Sequence, residues 1–215
     1  MKLKIYHSLI SKFIIYTCLF VLAEKSIAQE VKEKYEKEIS IKKDDFPENS
    51  LQLVAPILKK GEKTRLYKEF NGKDYFYELK THYKGEKVSV KFYENGQLLD
   101  IEILKNFHDL APEIQERINQ YFQENYKKYI IHRIQIQYNR EREFEDGKLE
   151  IDEDDEFLEE FMEMDLEDLI VKFEIEAETV DYSNERSFFE FLFDHSGEIE
   201  RKRTIVKRAD DNVLY

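Results

Sequence analysis

Glycine placement constrains this chain more than any other feature. Among six glycines in 215 residues, Gly72, Gly85 and Gly96 follow Asn71, Lys84 and Asn95, each between segments of alternating polarity. Asn-Gly between alternating runs is the strongest short hairpin signal. Four adjacent strands are therefore predicted near 64–70, 73–83, 86–93 and 97–104, an antiparallel meander. Within it Tyr75, Tyr77, Leu79, Thr81 and Tyr83 share one face, as do Val88, Val90 and Phe92, and Leu99, Ile101 and Ile103.

The second half follows the same plan. Pro112 opens a helix with Glu113 and Glu116 in its first turn and Lys127 and Lys128 at its end, matching the helix dipole. Ile114, Ile118, Tyr121 and Phe122 form its apolar stripe. Strands are predicted near 130–138, 169–180, 187–193 and 198–206. The segment VKFYENGQLL (90–99) aligns with FLFDHSGEIE (191–200), pairing Phe92 with Phe193 and Gly96 with Gly197, and Pro47 aligns with Pro112. The fold class expected is α+β: two tandem helix plus four-stranded antiparallel meander repeats forming one sheet with helices on one face. Repeat one spans 45–106 and repeat two 107–206, with a lead-in at 29–44 and a tail at 207–215. Pro56 interrupts the first helix, which ends near Lys60-Gly61. Phe92, Phe191 and Phe193 are expected in one core beneath the helix at 112–128.

The N-terminus reads as an address. Lys2, Lys4 and Lys12 precede the apolar run Phe13–Ala23, and Ser26-Ile27-Ala28 is a small-x-small boundary. This is the layout of a secretory signal peptide over 1–28, cleaved before Gln29. The apolar run falls short of the ~20 residues that span a bilayer, so no membrane insertion is expected after cleavage, and the expected location is the periplasm or the extracellular space. Cys18 is the chain's one cysteine, so residues 29–215 have no disulfide or thiolate to use.

Charge excludes some partners and singles out one segment. The chain carries 47 acidic against 34 basic residues, a poor match to nucleic acid or an anionic membrane, which need a basic footprint. Residues 141–168 hold sixteen acids against Arg142 and Lys148. This reads as an acidic insertion within repeat two, absent from repeat one, solvated and dispensable for folding. Phe157, Leu158, Phe161 and Met162 within it suit a short amphipathic helix whose acids face water. The run Asp152 to Glu156 lacks the ligand alternation and glycine of a calcium loop.

Catalytic signatures do not occur. There is no G-x-S-x-G, H-E-x-x-H, P-loop or G-x-G-x-x-G, and His82, His108, His132 and His195 have no ligand spacing. No enzymatic activity, cofactor or metal centre is expected.

A proline-opened helix, then a four-stranded meander closing on an aromatic-x-x-x-Gly hairpin, twice after a signal peptide, resembles the PepSY-like family, related in fold to the tandem-repeat β-lactamase inhibitor proteins. The residues concerned are Pro47, Tyr77-Glu78-Leu79, Val90-Lys91-Phe92 and Asn95 through Glu102, then Pro112, Lys172 through Ile175 and Phe191 through Gly197. The resemblance implies an exported, non-enzymatic binding module, inhibitor-like towards another exported protein through its open sheet face. The lack of disulfides and the acidic segment depart from those inhibitors. Strand alternation places Phe76, Lys91, Tyr93, Asp100, Glu102, Arg133, Lys172, Glu174, Phe188 and Glu190 on that face. The alternative is an envelope-assembly component docking through the acidic segment, or a weak divalent-cation binder.

Overall fold

The computed structural model describes residues 32–140, 153–164 and 169–205. The leader at 1–28, its cleavage before Gln29 and the tail at 207–215 lie outside the described residues, as does much of the acidic segment. Ten strands follow the chain as β1 (Lys32–Lys34), β2 (Lys37–Ser40), β3 (Glu62–Phe70), β4 (Tyr75–Tyr83), β5 (Glu86–Tyr93), β6 (Leu98–Lys105), β7 (Lys128–Asn139), β8 (Ile170–Val180), β9 (Arg186–Phe193) and β10 (Ile199–Ile205). The helices are α1 (Glu48–Leu53), α2 (Ala55–Lys60), α3 (Pro112–Asn125) and α4 (Glu153–Glu163). The fold is α+β with a single sheet. No helix among the described residues is long and apolar enough to cross a membrane.

Strand order explains the shape of the sheet. It runs β1-β10-β9-β8-β7-β6-β5-β4-β3-β2, so β1 and β2 are opposite ends of one ladder. A flat ten-stranded sheet would hold those ends about 43 Å apart at ~4.8 Å per strand. Only Tyr35 and Glu36 separate β1 from β2, and the three Cα steps from Lys34 to Lys37 reach about 11 Å at most. The sheet must therefore curl until its edges meet across residues 32–40. β1 pairs with β10 in parallel and β2 with β3 antiparallel, so the sheet is mixed. The segment expected as a lead-in is the strand that closes the sheet. No alternation of apolar with polar residues in KEKYEKEIS announces this, because its place in the sheet is secured by backbone pairing.

The glycine turns are where the spacing puts them. Gly96 and Gly197 adopt φ of +86° and +84°, conformations that favour glycine. In each turn the glycine N–H donates to the residue three before it, Tyr93 or Asp194, at 2.9 and 3.0 Å. Each is followed by a bulge: pairing skips Leu99 opposite β5 and Glu200 opposite β9. The extra residue reverses the alternation locally. Leu98, not Leu99, is the core residue here, and Leu99 turns to the polar side.

Apolar side chains gather into two clusters. The first holds Phe46, Val54 and Ile57 from the α1–α2 region, Leu79, Val90, Phe92 and Ile101 from the sheet, and Phe157, Leu158 and Phe161 from α4. The second holds Ile114, Ile118 and Phe122 of α3 with Phe173, Ile175, Phe191 and Phe193. The single core expected for Phe92, Phe191 and Phe193 is thus divided, with Phe92 in the first cluster and the other two beneath α3. Helix α3 ends at Asn125, and Lys128 begins β7 instead of closing the helix.

The acidic segment is more than a solvated excursion. Phe157 is fully buried, and Asp154, at 1% exposure, accepts hydrogen bonds from Leu98 N and Arg140 Nη2, both at 2.7 Å. Its apolar stripe was legible. Its docking site was not, because that surface joins Leu98 of β6, 56 residues before Asp154, to Tyr138 and Arg140 at the end of β7.

Candidate functional site

Curling turns the polar face of the sheet inward. Side chains alternate along each strand, so the residues between the core positions line one cavity of about 520 Å³, to which all ten strands contribute. Lys34 of β1 shows the consequence of closure. Its ammonium ion-pairs with Glu190 on β9 and lies 2.9 Å from Glu36 and 3.8 Å from Glu174 on β8.

Seven of the ten residues expected on the binding face meet in this cavity: Phe76, Lys91, Asp100, Glu102, Arg133, Lys172 and Glu174. Glu190 lies beneath them, 1% exposed, held by Lys34 and Arg203. Tyr93 and Phe188 are outside the lining. Tyr93 sits opposite Phe76 with ring centroids 6.1 Å apart, and Phe188 packs 5.2 Å from His132. The face is therefore a walled trough, not the open docking plane expected from alternation. Lys34, Glu36 and Glu38 escaped the sequence reading, although their two-residue spacing is a strand face. Alternation also puts Gln135 on this face beside Arg133; Glu69, Glu78, Gln137 and Arg203 were missed, and each falls on the same parity as a residue that was named.

Cations and carboxylates are sorted along the trough. Near β2–β4, Lys80 Nζ contacts Glu38 at 2.7 Å and Glu78 at 3.0 Å, and Lys91 Nζ contacts Glu69 at 2.9 Å. Near β9–β10, Lys34 and Arg203 hold Glu190. Burial alone would raise the Glu78 and Glu190 carboxyls, but the lysines and arginine outweigh it and hold both below the usual range. Lys91 is held well above its ordinary value, the pull of Glu69, Asp100, Glu102 and Glu78 overcoming its burial.

The middle is different. Asp100, Glu102 and Glu174 are 6–8% exposed. Gln137 Nε2 donates to Asp100 Oδ2 at 3.1 Å and to Glu102 Oε1 at 3.2 Å, and Gln135 donates to Glu102. Amides satisfy lone pairs but supply no positive charge. Burial pushes Asp100 up to about 7, with Lys91 offsetting it and Glu174 adding to it. Burial and then Asp100 push Glu102 to about 7. Burial, then Glu190 and Glu102, push Glu174 to about 8. Asp100 Oδ1 has no hydrogen-bond partner among the described residues.

One set of carboxylates among the described residues converges closely enough to hold a metal ion, Glu38, Glu69 and Glu78, with oxygens within 4.8 Å of one another. Lys80 and Lys91 already contact all three, so most of the charge at that position is offset from within the protein.

No protein-family model matches the chain, and no curated protein matches it. Among solved structures it is similar to a Bacteroides eggerthii protein assigned provisionally to the periplasm, at 10% identity and a TM-score of 0.43, covering 74% of this chain and 88% of that one.

Proposed function

We propose that the chain is an exported, non-enzymatic binding module, built of two PepSY-like helix–meander repeats with helices on one sheet face, and that it takes its ligand in the charged trough. The observation that carries this reading is the wall itself: buried carboxylates from β6 and β8 sharing one cavity of about 520 Å³. That volume is in the range of ligand sites. Burying charge in this way works against folding, and a sheet needing only solubility would place such groups outward. The repeat reading is supported by the matched turns at Gly96 and Gly197 and the matched bulges at Leu99 and Glu200. Helix starts approach both turns: Ser50 Oγ donates to the Gly96 carbonyl at 2.8 Å, and the Gly197 position faces Arg117.

A protein partner fits this reading if it presents a side chain to the trough while Phe76 and Tyr93 engage it at the rim. The test is a thermal-shift screen of residues 29–215 against anionic, zwitterionic, cationic and sugar ligands and short peptides, repeated on Leu192→Trp. Leu192 lines the cavity and is 4% exposed, so the larger ring fills it. A ligand that stabilises the parent protein and not the filled variant supports the trough. Ligands acting equally on both, or none acting on either, overturn it.

A further inference from the structure

Each buried carboxylate at the two ends of the trough has a cation of the protein against it, whereas in the middle Asp100 and Glu102 take hydrogen bonds from glutamines and Glu174 has Lys34 at 3.8 Å, an ammonium that also holds Glu190. Asp100 and Glu102 lie two residues apart on β6, about 7 Å along the strand, and Glu174 is two strands away, about 10 Å across. A single metal ion holds oxygen ligands at ~2.0–2.6 Å, and among the described residues the carboxylate oxygens that lie within 4.8 Å of one another are those of Glu38, Glu69 and Glu78, not of this trio. The set in the trough that does converge is already contacted by Lys80 and Lys91. Asp100 supplies an independent sign of a missing partner: it is 6% exposed, lines the cavity, and its Oδ1 has no hydrogen-bond partner among the described residues.

We propose that Asp100, Glu102 and Glu174 form the subsite for a guanidinium-bearing ligand, the fork bridging the β6 and β8 carboxylates. This rests on the trough being the binding site. A guanidinium presents five N–H donors in a rigid plane, is weakly hydrated, and matches carboxylates bidentately, so it suits acceptors spread over several ångströms and already desolvated. The charged groups facing the subsite are Lys91 on β5, Glu78 on β4 and Glu69 on β3 around Asp100, Arg133 near Glu102, and Lys34, Glu36 and Glu190 around Glu174. A bound cation favours the ionised carboxylates, so binding releases protons around neutral pH and tightens as the medium becomes more alkaline.

The guanidinium has two sources, a free small molecule or an arginine side chain of a polypeptide. Titration calorimetry on residues 29–215 with agmatine and with a blocked arginine tripeptide covers both. Magnesium chloride and a neutral sugar serve as controls, in two buffers of different ionisation enthalpy. The expected result is saturable binding of one or both guanidinium probes, at least tenfold tighter at about pH 8.5 than at about pH 6. Asp100→Asn and Glu174→Gln should each weaken it at least tenfold while remaining folded. Tighter binding of the peptide than of agmatine would identify a polypeptide source, and the reverse a small molecule. Binding unaffected by both substitutions, preference for magnesium, or absence of proton release overturns the subsite. If another class of ligand binds and Leu192→Trp abolishes it, the trough remains the site and only the guanidinium assignment falls.

Discussion

Lys34 of the first strand ion-pairs with Glu190 of the ninth, joining the N-terminal segment to the far side of the sheet that the same segment closes. Glu190 is 1% exposed and also held by Arg203. Breaking a buried pair from one side typically costs about 3–5 kcal/mol, because the remaining charge is left uncompensated. Arg203 softens that loss, so Lys34→Ala should destabilise the protein by about 2–3 kcal/mol in urea unfolding at neutral pH. Glu190→Gln in the same chain should recover part of it. A change below about 0.5 kcal/mol, the range of a surface substitution, would place Lys34 in solvent.

The raised carboxyls in the middle of the trough set the pH dependence. Asp100, Glu102 and Glu174 have folded-state values near 7, 7 and 8, above those of the unfolded chain. The folded state therefore binds more protons than the unfolded one between about pH 4.5 and 8, and stability falls as pH rises through that window. Glu78 and Glu190, held low, act oppositely: their contribution is present above the ordinary carboxylate value and is lost as pH falls through their lowered folded values. Maximum stability should lie in the mildly acidic range. Asp100→Asn should raise the melting temperature at about pH 8.5 and flatten the decline. A stability that rises steadily from pH 5 to about 8.5 would contradict the buried central carboxylates.

Asp154 shows how the acidic segment joins the body. Asp154→Ala removes the carboxylate that accepts from Leu98 N and Arg140 Nη2 and should cost about 3 kcal/mol in denaturant unfolding. Removing 141–168 should cost more, since Phe157, Leu158 and Phe161 leave with it. A deletion as stable as the parent would return the segment to the surface.

Two separate clusters predict two kinds of additivity. Phe92→Ala and Phe193→Ala should each cost about 3–5 kcal/mol, and their double mutant should stay close to the sum, coupled only through Ile136 and Val171, which pack against both clusters. Phe191 and Phe193 lie 6.3 Å apart in one cluster, so that pair should depart from the sum. The surface control is Lys87→Ala. Lys91 faces the trough against Glu69 and is no surface control.

Much of the sheet was legible because hairpin glycines and two-residue alternation are local. The strands around Asn71-Gly72, Gly85 and Gly96 agree with expectation to within two residues at every end, and β5 agrees at both. Leu99 was misplaced because a bulge shifts alternation without a residue type to mark it. Alternation separates Lys91, Asp100, Glu102 and Glu174 from the core, yet it is blind to curvature, so an inner wall reads like an exposed face. Curvature here comes from where β1 and β2 pair, a relation between residues 32–40 and both edges of the sheet.

Closure of the sheet by residues 32–40 underlies the trough, and paired cysteines test it most directly. The chain has no cysteine beyond Cys18, so engineered pairs report without background. Glu33→Cys with Thr204→Cys samples the β1–β10 register while leaving Lys34 in place, and Ile39→Cys with Lys68→Cys samples β2–β3. Under mild oxidation both pairs should cross-link efficiently within one folded molecule, as read by intact mass and peptide mapping. Cross-linking of the β2–β3 pair without that of the β1–β10 pair would mean an open sheet and no enclosed trough.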